Sequence, residues 1–311
     1  MQPLRSAAKN AAVIGLGTMG PGIAATLARA GMNVAAFDAD PAKRDKAVPA
    51  FAAAATVLSA LAVPDHSAAA ITVHASLAAC VAGADLVIET VPEDLDLKIQ
   101  VFRDIETHVA DHCILASDTS GIPITRIQAG TRVPGRVIGM HWSNPPHIIP
   151  MIEVIAGEKT APDVAGALVE VIRACGHLPI TIRKDVPGFV ENRVLYAVMR
   201  ECLDLVEQGV IEPQDLDACV SWGIGYKLAV VGPMALLDMA GLDIYAAVAG
   251  YLNKELSSRT DVASYIGERT SQRKLGLKTG SGIYSYTAEQ IAELQSARAR
   301  KLVAVRKALQ A

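Results

Sequence analysis

The sequence predicts an α/β fold with an N-terminal doubly wound, mostly parallel sheet and a C-terminal domain made only of helices. From residue 10 to about residue 185, short β-rich apolar runs alternate with helical patterns, which is typical of strands joined by crossover helices. From Phe189 onward the pattern is almost purely helical, with breaks at Gly and Pro. We therefore place a domain boundary near Pro187, with residues 1–186 in the first domain and residues 187–311 in the second.

Eight apolar runs are predicted as the strands of the sheet. In chain order they cover residues 11–15, 33–38, 71–74, 86–90, 114–117, 137–141, 152–156 and 178–182. Helical patterns between them include residues 22–30, 97–109 and 162–175. In the second domain, the pattern over residues 190–208 has more apolar positions than a lone surface helix needs. We therefore expect part of it to pack against a second subunit, giving a homodimer through the helical domain.

The composition excludes several classes of protein. Hydrophobic residues make up 51% of the chain and charged residues 20%, which is typical of a folded protein. The net charge of −3 and the lack of a Lys/Arg run argue against a nucleic-acid partner. The five cysteines are scattered without a CxxC pair, which favours free thiols over a disulfide frame, and we expect no metal site. No apolar run is long enough to span a bilayer and the N-terminus lacks a signal-peptide core, so we expect a cytoplasmic protein with no membrane partner.

A glycine turn lies between the first predicted strand and the first predicted helix. Gly15, Gly17 and Gly20 form the pattern G-x-G-x-x-G, in which the glycines permit a tight turn, a close backbone approach to a pyrophosphate and close helix–strand packing. The pyrophosphate would lie on the helix N-terminus, where free N–H groups favour an anion. The pattern alone also fits an ordinary glycine turn, but Asp38 closes the second strand, where a carboxylate can bind the adenine ribose.

These features predict a Rossmann-type dinucleotide site that takes NAD rather than NADP, because the Asp38 carboxylate would repel a 2′-phosphate. Lys43 and Arg44 lie nearby and are expected to face solvent. The residues assigned to the cofactor in this turn are Gly15, Leu16, Gly17, Thr18, Met19 and Gly20, together with Asp38.

A histidine and a glutamate at neighbouring strand ends are the candidates for proton transfer. His141 ends one predicted strand, and Glu153 lies on the next strand after a proline-bracketed loop that can bring the two together. A glutamate on one ring nitrogen raises the basicity of the other nitrogen, as a general base requires. A lone histidine is more often a structural residue, but this loop lies at the carboxyl edge of the sheet, where ligands bind. His147, on the loop itself, is a rival candidate that could contact substrate instead.

Ser120 follows another predicted strand at the same edge of the sheet. Its hydroxyl could bind a substrate oxygen, although a helix N-cap role for Ser120 or Thr119 fits the pattern equally. None of the cysteines lies in a motif that would lower its pKa, so cysteine chemistry is not expected.

Nearly the whole chain resembles the L-3-hydroxyacyl-CoA dehydrogenase family. The matching stretches are residues 15–24, residues 84–89 with Glu93 and Lys98, and residues 117–120, 141–153, 187–193, 232–233, 241–243 and 275–284. The resemblance implies that His141 is the general base, Glu153 its partner, and Ser120 and Asn192 ligands of the reacting oxygen. It also implies that Glu93 and Lys98 lie along the nicotinamide half of the cofactor.

Several segments depart from the family pattern. Residues 47–97 contain no Lys or Arg, whereas members that use CoA carry a lysine-rich helical arm there to hold the nucleotide phosphates. Trp142 and Ser143 replace two phenylalanines, and Asn-Pro-Pro-His, residues 144–147, replaces Asn-Pro-Val-Pro. The stretch over residues 222–233 is longer than in the CoA enzymes and more like members that act on small free hydroxy acids. Asn144 and His147 are candidate substrate contacts; Lys227 either faces a substrate carboxylate or is an ordinary surface lysine.

The expected activity is the NAD-dependent oxidation of a small substrate. Residues 139–150 and 185–193 closely resemble a family member that oxidises a pyridine aldehyde acid to the dicarboxylate in vitamin B6 degradation. Without a cysteine nucleophile, the aldehyde must first become its hydrate, from which His141 would take a proton. The alternatives are a 3-hydroxyacyl-CoA dehydrogenase, such as a 3-hydroxybutyryl-CoA dehydrogenase, a gulonate-type 3-hydroxy-acid dehydrogenase, and a crystallin-like NAD-binding structural protein, which would have no need of the His141–Glu153 pair.

Overall fold

The computed structural model describes residues 8–67 and 70–310. The chain divides into two compact units, of which the first extends to Asn192 and the second begins at Arg193. The first unit holds the whole sheet and its flanking helices, and within the described residues the second contains helices and short bridges but no named strand. The predicted fold class, a doubly wound sheet followed by a helical domain, is confirmed.

Within the described residues, eight strands form one sheet in the order β3-β2-β1-β4-β5-β6-β7-β8. Every neighbouring pair is parallel except β6 and β7, which are antiparallel. The strands are β1 (Asn10–Ile14), β2 (Asn33–Phe37), β3 (Thr72–Val73), β4 (Leu86–Glu89), β5 (Ile114–Ser117), β6 (Val137–Trp142), β7 (Met151–Ala156) and β8 (Leu178–Ile182).

The helices of the first unit flank this sheet, and the remaining helices belong to the second unit. The first unit contains α1 (Gly20–Arg29), α2 (Pro41–Asp45), α3 (Ala47–Ala60), α4 (Leu77–Val81), α5 (Leu95–Glu106), α6 (Ile124–Gln128) and α7 (Pro162–Ala174). The helix α8 (Glu191–Glu207) begins just before the unit boundary. The second unit continues with α9 (Pro213–Val220), α10 (Tyr226–Val230), α11 (Pro233–Ala240), α12 (Leu242–Leu252), α13 (Ser264–Ser271) and α14 (Ala288–Gln310).

The central strands are buried on both faces, which explains their continuous apolar sequences. Along β1, Ala11 and Val13 belong to one hydrophobic cluster, while Ala12 and Ile14 belong to another. Because successive side chains of a strand point to opposite faces, the two clusters are the cores on the two sides of the sheet. This arrangement places the carboxyl ends of β1, β2, β4 and β5 along one edge of the sheet.

Many large apolar side chains of the second unit are exposed in the single chain. On α8, they include Val194, Leu195, Tyr196 and Met199, of which Tyr196 is 70% exposed. Among the described helices, none is long and apolar enough to cross a membrane by itself. One bent pair, Pro213–Val230 with Pro233–Ala240, meets that length and composition only when both segments are counted, and the two are bent by 94°.

Candidate active site

The glycine turn after β1 has the close contacts that its pattern predicts. Gly15 has a φ of +103°, and a Cβ there would lie 2.7 Å from Oγ1 of Thr90. A Cβ on Gly20 would lie 1.9 Å from the carbonyl oxygen of Gly15, so α1 can start here only without a side chain. At Gly17, by contrast, a Cβ would meet no atom of the described chain within 4 Å. The turn is therefore tightly packed at Gly15 and Gly20 and has free space beside Gly17.

The N-terminus of α1 is available to an anion. Within the described residues no side chain caps it, its first turn has no acidic residue, and Pro21 lies at its start. The first N–H groups of a helix have no partner inside the helix, and they carry the positive end of the helix dipole. Together with the space in front of Gly17, this arrangement fits the pyrophosphate of a dinucleotide.

Asp38 follows β2 and contacts the glycine turn directly. Its Oδ2 accepts a hydrogen bond of 2.7 Å from the N–H of Leu16, and its Oδ1 accepts one of 2.9 Å from the N–H of Asp40. Lys43 lies with Nζ 3.6 Å from Asp38 Oδ2 and is exposed, as expected. The prediction that the side chain of Arg44 faces solvent is wrong. Its guanidinium donates a hydrogen bond to the carbonyl of Asp38 and lies over the ring of Phe37.

His141 and Glu153 are directly paired across the antiparallel strands β6 and β7. His141 Nδ1 lies 2.7 Å from Glu153 Oε2, and both side chains are buried. An ionised carboxylate only accepts, so Nδ1 carries the proton and Nε2 is left as the acceptor. The other oxygen of Glu153, Oε1, accepts hydrogen bonds from the N–H groups of Val190 and Glu191, at 3.0 and 3.1 Å. Glu153 is thus held from both sides and fixes the orientation of the imidazole.

Nearby carboxylates control the protonation of this pair. Burial alone would lower the pKa of His141, but the hydrogen bond to Glu153 and the charges of Glu153 and Glu191 raise it above 6.5, its ordinary value. Burial would raise the pKa of Glu153, but its hydrogen bonds with His141 and the backbone lower it. The pair therefore holds a carboxylate beside an imidazole of increased basicity, the combination that a general base requires.

Two carboxyl groups beside His141 were not among the predicted site residues. Asp118 follows β5, accepts a hydrogen bond of 2.9 Å from the N–H of Trp142, and has its pKa raised by burial to about 8. Glu191 accepts a hydrogen bond of 2.6 Å from Ser143 Oγ. Asp118 stands at the same strand end as Ser120, so position could have revealed it. Glu191 is far from His141 in sequence, and no local pattern indicates their proximity.

Asn192, in the first turn of α8, contacts Ser120 on the loop after β5. Asn192 Nδ2 donates a hydrogen bond of 2.6 Å to the carbonyl of Ser120. Glu93 holds the same loop, since its Oε1 accepts from the N–H groups of Ser120 and Gly121. The Ser120 residue is exposed. The structure thus places these two polar side chains, Ser120 and Asn192, at one edge of the sheet.

Lys98 is buried, with a side chain that is only 1% exposed. Its Nζ lies 2.8 Å from Glu89 Oε1 and 3.6 Å from Glu93 Oε2. Ser117 donates to the other oxygen of Glu89. Lys98 therefore stabilises the buried charge of Glu89 and anchors Glu93 under the loop of Ser120.

The remaining predicted substrate contacts lie in different places. The His147 residue is partly buried, its Nδ1 has no hydrogen-bond partner in the described chain, and a Cβ on Gly22 of α1 would lie 2.7 Å from that nitrogen. Burial lowers the pKa of His147, which favours a neutral ring packed on the start of α1. Asn144 is exposed in the loop after β6. Lys227 is exposed on α10 of the second unit.

Comparison with known proteins relates both parts of the chain to one family. The model of the 3-hydroxyacyl-CoA dehydrogenase NAD binding domain matches residues 10–186, and the model of the C-terminal domain of that enzyme matches residues 188–286. A curated relative from Mesorhizobium japonicum, 5-formyl-3-hydroxy-2-methylpyridine 4-carboxylate 5-dehydrogenase, is 58% identical over 97% of this chain and 98% of its own length.

Solved structures of two similar proteins agree with this relationship. The crystal structure of a 5-formyl-3-hydroxy-2-methylpyridine 4-carboxylic acid 5-dehydrogenase, described as an NAD⁺-dependent dismutase, has a TM-score of 0.95 and 57% identity. That match covers 97% of this chain and 98% of the other. The (S)-3-hydroxybutyryl-CoA dehydrogenase from Ralstonia eutropha has a TM-score of 0.73 and 32% identity, with 90% of this chain and 100% of the other covered.

Proposed function

Because the chain belongs to the 3-hydroxyacyl-CoA dehydrogenase family and is an NAD-dependent dehydrogenase, we propose that its substrate is 5-formyl-3-hydroxy-2-methylpyridine 4-carboxylate. The product is 3-hydroxy-2-methylpyridine-4,5-dicarboxylate, and the reaction belongs to the degradation of pyridoxine. The observation that carries this proposal is the 58% identity, over 97% of the chain, to a relative of that name.

The residues of the site support oxidation through the hydrate of the aldehyde. His141 Nε2 takes a proton from a hydroxyl of the hydrate, while Glu153 stabilises the resulting imidazolium through Nδ1. Ser120, on the loop after β5, and Asn192, in the first turn of α8, orient the reacting oxygens. NAD supplies the acceptor for the hydride when bound. The thiols of Cys80, Cys113 and Cys175 have pKa values raised to about 12 by burial, so they do not compete as nucleophiles.

The proposed NAD site combines the glycine turn and Asp38. The turn over residues 15–20 binds the pyrophosphate at its open side around Gly17 and at the start of α1, and Asp38 binds the adenine ribose. Glu93 and Lys98 support the nicotinamide half from beneath the loop of Ser120. Asn144, His147 and Lys227 are the proposed contacts to the substrate's polar groups.

The region after β2 supports a small acid rather than a CoA thioester. Residues 47–97 contain no Lys or Arg, and their first part forms the alanine-rich helix α3. A CoA 3′-phosphate would find no cationic partner there. A CoA or gulonate-type hydroxy-acid substrate and a non-catalytic NAD-binding role are the alternatives that a substrate test distinguishes.

We also propose that the site reduces the aldehyde, because the same imidazole can return its proton. The carboxylates around His141 raise its pKa, so a protonated imidazole is available near neutral pH. One molecule of aldehyde would then be oxidised while another is reduced. The similar protein of known structure is described as a dismutase, an enzyme that carries out such a pair of reactions.

The functional form that we propose is a cytoplasmic homodimer joined through the helical region, residues 187–311. The exposed apolar side chains of α8 support a subunit contact. All five cysteines are free, which suits a reducing compartment. We propose that neither nucleic acid nor a membrane is a partner.

The first experiment mixes the purified protein and NAD with the pyridine aldehyde acid and, separately, with a 3-hydroxyacyl-CoA, following NADH absorbance. We expect turnover of the aldehyde alone. Turnover of the CoA ester alone would reject the proposed substrate and the interpretation of residues 47–97. A lack of turnover with any small hydroxy acid or aldehyde would favour the non-catalytic alternative.

A further inference from the structure

The carboxyl group of Glu191 lies near His141 and Glu153, and only one of its two oxygens accepts a hydrogen bond within the described residues. Oε1 accepts a hydrogen bond of 2.6 Å from Ser143 Oγ. Oε2 is buried and has no hydrogen-bond partner within the described residues. One atom each of His141, Glu153 and Glu191 lie within 4.8 Å of one another. A carboxylate oxygen of Glu191 therefore lies near the His141–Glu153 pair, and Oε2 of the same group has no donor among the described residues.

Two features of Glu191 bear on a ligand contact, namely its position at the start of α8 and the burial of its Oε2. Glu191 is the first residue of α8 and lies in the first turn, where the helix dipole stabilises negative charge. A buried acceptor without a donor is unfavourable, and such groups are rare unless a ligand or water supplies the hydrogen bond. The cost is removed when a bound molecule supplies a hydroxyl at this point.

The hydrated aldehyde has two hydroxyl groups on one carbon, whereas an ordinary secondary alcohol has one. We propose that Glu191 Oε2 accepts the second hydroxyl of the hydrate, while His141 Nε2 accepts the first. This inference rests on the proposed function and deepens it. It assigns Glu191 as a further catalytic residue and Ser143 as the positioning residue that holds it. Ser143 stands where the family pattern has a phenylalanine, which could not donate this hydrogen bond.

The two acceptors match the two protons that the oxidation releases. Water adds to the aldehyde carbon to give the hydrate; the C–H bond then breaks, the carbon is oxidised and NAD is reduced to NADH. The proton of the first hydroxyl passes to His141 as the new C=O bond forms. The proton of the second hydroxyl passes to Glu191, so the product leaves as a carboxylate. Reduction of the aldehyde involves only one oxygen and one proton, so it does not need Glu191.

The test compares the two reactions in Glu191→Gln, which keeps the shape of the side chain and the contact with Ser143 but cannot take up a proton. We expect the kcat for aldehyde oxidation to fall about 100-fold, the lower end for loss of an acid–base group. NADH-dependent reduction of the same aldehyde should fall far less, because it loses only the contribution of the Glu191 charge to the pKa of His141. Glu170→Gln, at an exposed carboxylate of α7, is the matched control and should change neither reaction.

A second measurement needs no turnover. With the formyl carbon of the substrate labelled with ¹³C and no cofactor added, the NMR signal distinguishes bound aldehyde from bound hydrate. We expect wild type to enrich the hydrate relative to solution, and Glu191→Gln and Ser143→Ala to lose that enrichment. A Glu191→Gln variant that loses both reactions equally, or neither, or that binds the hydrate as well as wild type, would overturn the inference while leaving the proposed function intact. If wild type itself does not oxidise the aldehyde, the proposed function fails, and the inference fails with it.

Discussion

His141 has one ring nitrogen occupied by Glu153 and the other available for chemistry, so a single substitution separates binding from catalysis. In His141→Ala we expect kcat to fall by about 100- to 10,000-fold, the range for loss of a general base. NAD affinity should be unchanged, because the glycine turn and Asp38 are not touched. Steady-state kinetics and NAD titration measure the two effects. His108→Ala, at an exposed histidine, is the control; an unchanged kcat in His141→Ala would remove this residue from the mechanism.

The pH dependence of the reaction follows from the raised pKa of His141. Oxidation needs the neutral imidazole, so kcat/KM should fall as the pH decreases through a pKa above 6.5. Reduction needs the imidazolium and should fall as the pH increases through the same pKa. In Glu153→Gln the hydrogen bond and charge that raise this pKa are lost, so both limbs should move to lower pH. Rate profiles in both directions check this; limbs that do not move would assign the titration to another group, such as Asp118, whose pKa is about 8.

At the level of the structural elements, the turn between β1 and α1 tolerates no side chain at its last glycine. In Gly20→Ala the new Cβ would meet the carbonyl oxygen of Gly15, and overpacking of this kind costs about 1–3 kcal/mol. If the turn shifts to relieve the contact, the Kd for NAD should increase about tenfold to hundredfold, since each 1.4 kcal/mol is a factor of ten.

The control for Gly20→Ala is Gly166→Ala, within α7, where a Cβ would meet no atom of the described chain within 4 Å. There we expect unchanged NAD affinity and a gain of about 0.5–1 kcal/mol in stability, because Ala is favoured over Gly inside a helix. Calorimetric titration of NAD and denaturant unfolding measure both. Wild-type NAD affinity in Gly20→Ala would show that the turn does not hold the cofactor.

The sequence was sufficient to predict every strand of the sheet. In a chain that alternates strands and helices, a short apolar run bounded by turn residues seldom forms anything other than a buried strand. Helix ends were predicted less well. The helix predicted over residues 97–109 is Leu95–Glu106, because Asp94 accepts from the N–H of Leu97 and sets the start earlier. The antiparallel direction of β7 was also not predicted, although its short connection to β6 favours it over a parallel crossover.

The site was predictable only in part, for a related reason. His141 and Glu153 could be paired because one loop separates them. The contact of Ser143 with Glu191 joins segments that only tertiary packing brings together, and the burial of Lys98 against Glu89 has no local pattern that distinguishes it from a surface ion pair.

At the scale of the whole molecule, α8 exposes several large apolar side chains in the single chain, as helices at subunit contacts do. We expect the protein to sediment as a dimer and Tyr196→Asp, which puts a charge on a side chain that is 70% exposed in the single chain, to shift it toward monomer. Val48→Asp, on α3 of the first unit, is a matched control at a side chain that is 62% exposed. Analytical ultracentrifugation distinguishes the outcomes; a wild-type monomer would contradict the proposed homodimer.

The hydrogen bonds from Val190 and Glu191 to Glu153 have a consequence for how the enzyme could be cut, fused or rebuilt from parts. The sequence pattern changes near Pro187, but Glu153, the partner of the proposed base His141, accepts hydrogen bonds from peptide groups that come later in the chain. A fragment ending at residue 186 would contain every strand of the sheet and both His141 and Glu153. It would lack the two peptide N–H groups that donate hydrogen bonds to Oε1 of Glu153. The shortest fragment that keeps all the hydrogen bonds of the His141–Glu153 pair therefore extends through the first turn of α8. It ends beyond the point where the alternation of strands and helices stops.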